Sequence, residues 1–528
     1  MPGGMEEGGM TGAKRVMNLA HMLRQAAWRH GDETGFVWGT RSWTWREMDA
    51  RVDAMAAALA ARGVAKGDRV LVQSRNCNQL FESMFACFRL GAVWVPANFR
   101  QTPAEVAYLA EASGATAMIC GAEFPDHAAA AGIPLVIAIG AAPFGEEYDA
   151  LVAQHPGAAF EAAPVVHDDP CWFFFTSGTT GRPKAGVLTH GQLGFVVTNH
   201  LCDLMPGTTA RDASLVVAPL SHGAGVHQLA QVARAAKSIL PGGDRFDADE
   251  AWALVEQWQV TNMFTVPTIL KLLTEHPAVD RYDHSSLRYV IYAGAPMYRA
   301  DQKHALGKLG PVLVQYFGLG EVTGNITVLP PGLHSIEDGP AARAGTCGYE
   351  RTAMQVSIQD DAGQEVPPGQ TGEICVCGLA VFVGYYNNAE ANAKAFRDGW
   401  FRTGDLGHMD AQGFLFITGR ASDMYISGGS NVYPREIEEV LLTHPGIAEA
   451  AVLGVPDPFW GEAGAAILVL RPGAALDQAE VLAWLEGRVA GYKRPRQVFV
   501  WDELPKSGYG KVTKQLLRDA LAARSCLP

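Results

Sequence analysis

The sequence predicts an α/β protein with parallel sheets, a β-rich region from about residue 345 and a further unit after residue 421. Three observations carry this. Helix and strand patterns alternate through the first 340 residues, with strands that are apolar along their whole length. Such strands belong to parallel sheets covered on both faces. From Gly345 short strands separated by Gly and Pro dominate, and helical patterns return after Arg420. The length of 528 residues fits three to four folding units at roughly 150 residues each.

The elements follow in order. Residues 1–15 are glycine-rich and acidic and read as a disordered segment, neither signal nor transit peptide. Thr44 and Glu47 form a capping box, followed by Met48, Val52, Met55, Ala56 and Leu59 at helical spacing and a stop at Gly63. Arg69–Gln73 is a short apolar strand; a helix over Leu80–Leu90 and a strand at Val93–Pro96 repeat the unit. Thr102, Pro103 and Glu105 open another helix with a second capping box and proline at its first position. The uncharged stretch Ala128–Gly145 could pass for a membrane span. Pro134, Pro143 and three glycines break it, leaving a buried strand at Leu135–Ile139.

Further strands are expected at Leu215–Pro219, Met263–Val266, Tyr289–Tyr292 and Val312–Tyr316. The β-rich region supplies Met354–Ile358, Gly372–Cys377 and Gly413–Thr418, and late helices span Pro434–Thr443, Gln478–Val489 and Lys514–Ala523.

Composition excludes several functions. Hydrophobic residues make up 48% and charged residues 18%, which suits buried cores and not a disordered chain. A net charge of −13 argues against nucleic acid as a partner and against a polybasic membrane-surface protein. No transmembrane segment is expected. Nine cysteines, with no CxxC pair, indicate a reduced, cytoplasmic chain. Cys375 and Cys377 share a strand face and read as small apolar residues, not metal ligands.

The most informative stretch is FFFTSGTTGRPKAGVLTH at Phe173–His190. An apolar strand runs into Thr176, Ser177, Gly178, Thr179, Thr180 and Gly181, then Lys184. Glycines turn backbone N–H groups toward an anion, and hydroxyls and a lysine add donors, which is chemistry for a polyphosphate. It is not a Walker A loop, because Pro183 precedes Lys184 and Ala185 follows it. Gly318, Gly320 and Gly324 are misregistered for GxGxxG, so a dinucleotide site is rejected there.

The loop resembles the phosphate-binding signature of the AMP-forming adenylating enzymes, the superfamily of acyl-CoA synthetases, peptide-synthetase adenylation domains and firefly-type luciferases. Six motifs in order carry the resemblance. Besides the loop they are WTWREMDARVDAMAAALAARGVAKGDRV, Val266-Pro267-Thr268 with AGAPM at Ala293–Met297, YFGLGE at Tyr316–Glu321, WFRTGDLGHMDAQGFLFITGRASD at Trp400–Asp423, and SGGSNVYPREIEE with LPKSGYGK. The resemblance implies a body at 16–421, made of two parallel-sheet α/β subdomains and a small β-barrel-like subdomain at about 345–421. A small mobile α+β cap would occupy 422–528. It implies a ligase that activates a carboxylic acid with ATP, releasing pyrophosphate, and then passes the acyl group to CoA, with Mg²⁺ assisting. It leaves a homodimer open.

The resemblance also assigns roles. Thr176, Ser177, Gly178, Thr179, Thr180, Gly181 and Lys184 would cradle the β- and γ-phosphates, and Glu321 would carry Mg²⁺. Gly294, Ala295, Pro296, Phe317 and Gly318 would receive adenine; Asp405 and Arg420 would hold the ribose. Lys511 would reach the α-phosphate and carboxylate oxygens during adenylation only. Seven further basic residues between Arg488 and Arg518, against Asp502 and Glu503, make its surroundings positive by sequence. Gly428 and Gly429 would line the pantetheine passage, and Ser422 takes the hinge position. His222 would gate an acyl pocket completed by Gly294, Gly318 and Leu319. An acid at position 222 would mark an amino-acid substrate, so an aliphatic or aromatic acid is expected.

Two positions depart from the pattern. Gly320 replaces a Thr or Ser whose hydroxyl helps hold the α-phosphate, unless Thr323 or a water substitutes, and Ser422 replaces Asp or Lys. Two other readings stand beside the ligase: an acyl-adenylate former that loads a carrier protein, and a non-catalytic nucleotide sensor or scaffold.

Overall fold

The first strand–helix units build a seven-stranded sheet. Its strands run Glu146–Glu147, Leu135–Ile139, Ala117–Gly121, Arg69–Gln73, Val93–Ala97, Pro170–Ser177 and Pro183–Thr189 in spatial order. All neighbours are parallel except the last two, which form a hairpin. In the computed structural model the described residues are 15–524, apart from 178–181, 244, 296, 340–341, 421, 428–429, 507–511 and the side chain of Ser177.

Both capping boxes form. The Thr44 amide donates to Glu47 Oε2 at 2.7 Å and that of Thr102 to Glu105 Oε2 at 2.6 Å, while each hydroxyl accepts from the glutamate amide three residues on. Between them lies the helix Asn78–Leu90, buried along its whole length. Two of its charged side chains are buried and paired. Glu82 accepts from Arg51 at 2.7 Å, and Arg89 donates to Asp49 and Asp53 at 2.6 Å each. Burying charge is tolerable only with such partners.

A second sheet has 14 strands. Its parallel part contains Thr34–Trp38, Lys237–Leu240, Ala213–Val216, Asn262–Thr265, Tyr289–Tyr292 and Leu313–Phe317. At Leu313–Phe317 the pairing turns antiparallel, through Thr327–Leu329 to Thr346–Glu350. The β-rich region therefore extends this sheet by hydrogen bonds, through Phe414–Arg420, Trp400–Met409, Gly372–Gly378 and Met354–Gln359.

A third sheet of five strands is formed by residues 425–500, centred on the long hairpin Ile447–Asp457 and Gly461–Leu470. Helices Pro434–Leu441, Gln478–Leu485 and Lys514–Ala523 cover it. The first of these also meets the strand Phe414–Arg420 of the larger sheet. Among the described residues no helix is long and apolar enough to cross a membrane.

Candidate active site

Several of the residues singled out by sequence lie where strands end. Gly294 and Ala295 follow Tyr289–Tyr292; Gly318, Leu319 and Gly320 follow Leu313–Phe317. Ligands of open α/β sheets bind at such carboxyl ends. Gly294 has a φ of +83° and both it and Ala295 are exposed. Gly318 is compulsory for space: a β-carbon there would lie 2.4 Å from the Gly324 Cα. Phe317 is half-buried at the strand end, and Leu319 is half-buried beyond it.

The hairpin of the first sheet faces this crest. Thr176 and Lys184 are register partners on its two strands. Glu321 is only 4% exposed and lies between the sheets. Its Oε1 accepts from the Thr176 hydroxyl at 2.8 Å and from the Tyr385 hydroxyl at 2.9 Å, whereas its Oε2 is buried with no partner among the described residues. Tyr385 is itself held in place. Gly186 bridges to it, and the Tyr386 and Val187 amides donate across the same join at 2.9 and 3.0 Å. Lys184 Nζ sits 5.2 Å from the Tyr385 ring centroid. Burial, and then the neighbouring Glu321 charge, push the Tyr385 hydroxyl pKa upward. It therefore stays a proton donor to Glu321.

A buried carboxylate oxygen without a partner is rare and asks for one. Mg²⁺ fits it, because this ion takes one or two protein carboxylates and completes its shell with phosphate oxygens and water. Among the described residues no group of three or more His, Cys, Asp or Glu could hold a metal alone. Two residues on, Thr323 has a φ of +48° and a buried hydroxyl that is also without a partner among the described residues.

Asp405 and Arg420 are register partners on adjacent antiparallel strands, with Arg420 Nε 3.2 Å from Asp405 Oδ1. Asp405 is 5% exposed, and burial outweighs the attraction of Arg420, raising its pKa to about 6. The Glu321 charge adds to that rise, which ties the two carboxylates to one electrostatic site. His222 caps the helix Gly223–Ala233, and its ring lies 4.4 Å from that of Phe174. Ser422 follows the last strand of the larger sheet and its hydroxyl meets Asp423 at 3.3 Å.

Ser177 beyond its backbone, Gly178, Thr179, Thr180, Gly181, Pro296, Gly428, Gly429 and Lys511 lie outside the described residues. Thr176, Lys184, Glu321, Asp405, Arg420 and His222 are placed around one region by the contacts above. Sequence reasoning did not single out Tyr385 or Phe174. Tyr385 reaches Glu321 across 64 residues of chain, so no local pattern marks it. Phe174 lies within the loop motif, but its packing against position 320 joins residues 146 apart and leaves no local pattern.

The basic strip needs correction. Folding brings carboxylates to four of its members: Lys493 to Glu436, Arg494 to Glu486, Lys506 to Glu449 and Lys514 to Glu438. A positive count over contiguous residues therefore overstates the local charge, because folding brings these carboxylates to it.

Known proteins resemble the chain over most of its length. The AMP-binding enzyme family matches residues 23–386, and the AMP-binding enzyme C-terminal domain matches 436–511. The chain is 37% identical over 485 residues to a feruloyl-CoA synthase of Amycolatopsis sp, covering 91% of this chain and 94% of that protein. It is 34% identical over 515 residues to an indoleacetate–CoA ligase of Aromatoleum aromaticum, covering 96% and 99%. Its fold matches o-succinylbenzoate CoA synthetase from Bacillus subtilis in complex with the acyl-adenylate intermediate. The TM-score is 0.84, with 30% identity and coverage of 94% of this chain and 98% of that one. Family models, relatives and fold agree: the chain belongs to the AMP-binding enzymes, in the acyl-CoA synthetase branch of the AMP-forming adenylating superfamily, and is an ATP- and CoA-using acid–thiol ligase.

Proposed function

We propose that this enzyme activates an aromatic carboxylic acid and passes it to CoA. The half-satisfied Glu321 carries the adenylation part of the reading. Thr176 and Tyr385 fix one oxygen and leave the other for Mg²⁺. The ion supplies charge neutralisation between the incoming carboxylate and ATP. The other groups position and stabilise. Thr176, Lys184 and the loop between them bind the β- and γ-phosphates. Gly294, Ala295, Pro296, Phe317 and Gly318 receive adenine, and Asp405 accepts the ribose hydroxyls beside Arg420. The acid's carboxylate oxygen attacks the α-phosphorus, and the bond to the bridging oxygen of pyrophosphate breaks. Lys511 neutralises the oxygens that gain charge in that step. The thiol sulfur of CoA then attacks the acyl carbon, and the acyl–phosphate oxygen bond breaks to release AMP. Gly428 and Gly429 line the path of the pantetheine arm, and the segment after residue 421 rotates about Ser422 between the two steps.

Two features support an aromatic acid. Both relatives above are named for aromatic acids, ferulate and indoleacetate. In this chain the acyl side is bounded by the Phe174–His222 ring pair and by Leu319, with no carboxylate at position 222. The same reading puts the enzyme in the cytoplasm, where ATP and CoA are available. A panel of acids scored by pyrophosphate release tests it. Cinnamic, arylacetic and benzoic acids should exceed medium-chain aliphatic acids in kcat/KM, and amino acids and dicarboxylates should be poor. A preference for fatty acids would overturn the aromatic assignment, and absence of acid-dependent release would overturn the catalytic one.

A further inference from the structure

We propose that Phe174 is a positioning residue of the adenylation site, matched to the glycine at 320. The inference rests on the ligase reading and gives a role to a residue of the loop motif to which the resemblance assigns none. Trp172, Phe174 and Thr176 alternate along the strand Pro170–Ser177, so their side chains point to one face. Each touches a different part of the site. Trp172 packs where a β-carbon at Gly225 would sit, 2.9 Å away, on the helix that His222 caps. The Phe174 ring lies 4.4 Å from the His222 ring at an interplanar angle of 36°. The Thr176 hydroxyl holds Glu321. One strand face therefore spaces the acyl-side histidine from the metal-side glutamate, and Phe174 is its middle member.

The glycine at 320 follows from the same ring. A β-carbon there would lie 2.6 and 2.7 Å from Phe174 Cδ1 and Cε1, and 2.8 Å from Thr176 Cγ2. Separations under 3 Å force something to move, and a buried ring flanked by Trp172 and His222 has nowhere to go. Nor does Gly320 adopt a positive φ, so space and not backbone conformation demands the glycine. The two positions work as a pair: Phe174 occupies the volume that a side chain at 320 would take. In doing so it backs His222 and presses on the residue just before Glu321.

A double-mutant cycle on the full chain tests the pair, using Gly320→Thr, Phe174→Val and the combined variant. Three quantities are read: kcat with the best acid, KM for that acid, and the free Mg²⁺ giving half-maximal rate. Gly320→Thr should lower kcat at least 30-fold and raise the Mg²⁺ midpoint, because Glu321 is displaced. Phe174→Val should raise KM for the acid more than it lowers kcat, because His222 loses its backing. The combined variant should regain at least tenfold over Gly320→Thr and return the Mg²⁺ midpoint toward wild type. Effects that simply multiply, or a Gly320→Thr enzyme with wild-type kinetics, would overturn the proposal. If Gly320→Thr is not recovered as folded protein, Gly320→Ala with and without Phe174→Val is read the same way. Wild-type turnover tests the ligase reading separately, since the cycle can also be followed as the MgATP-induced rise in melting temperature, which needs no acid.

Discussion

Asp405 shows how far a residue's chemistry depends on what surrounds it. By sequence it is an acid in a TGD triplet, matched to a ribose ligand. In the fold it is nearly enclosed, its amide donates to the Thr403 hydroxyl at 3.1 Å, and its carboxyl pKa rises from 3.8 to about 6. A raised acid penalises the fold when ionised. Stability from this group is full below 3.8 and is lost as pH rises through about 6. Nucleotide binding runs the other way, because ribose hydroxyls donate to the ionised carboxylate. An acyl-sulfamoyl adenosine, which carries no titrating phosphate, should therefore bind more weakly by about tenfold per pH unit below that pKa. Calorimetry between pH 4.5 and 8 checks this. Asp405→Asn should bind weakly at every pH with no such break, and a wild-type curve flat through pH 6 would remove Asp405 from the ribose site.

At the scale of elements, local signals were legible and long-range ones were not. Thr44–Glu47 and Thr102–Glu105 announce their helices because a capping box needs only residues three apart. Strands Arg69–Gln73, Leu135–Ile139 and Tyr289–Tyr292 begin and end where apolar runs do. The helix expected over Leu80–Leu90 spans Asn78–Leu90, and its run of apolar residues hides its most consequential feature. Arg89 is 1% exposed, and its guanidinium bonds Asp49 and Asp53 of the helix Trp45–Ala61. Arg24 of the helix His21–His30 reaches the same two carboxylates. Three helices are thus joined through one charge cluster that no periodicity reveals. Removing its buried cation leaves two carboxylates short of a partner, so Arg89→Ala should cost about 3–5 kcal/mol. Urea unfolding followed by circular dichroism reads this directly. A loss below about 1 kcal/mol would mean that Arg24 alone compensates both acids.

For the whole molecule, the proposed function asks a short lysine-bearing loop to serve one half-reaction and not the other. The positive strip between Arg488 and Arg518 is weaker than its sequence suggests, since Glu436, Glu438, Glu449 and Glu486 pair with four of its eight basic residues. Arg488 and Arg496 lie over the rings of Trp484 and Trp460. What remains is contact at close range: a cation counts for little until it sits against the oxygens gaining charge. Lys511 closes the segment matched by the C-terminal family model, beyond the third sheet. The proposed rotation about Ser422 would bring it to the nucleotide in one of the two steps only. Lys511→Ala should therefore abolish acid-dependent pyrophosphate release while sparing thioester formation from a supplied acyl-adenylate and CoA to within about threefold. Separate assays of the two half-reactions decide it. Equal loss in both would mean that Lys511 stays at the site throughout, and that a single arrangement of the chain performs adenylation and thiolation.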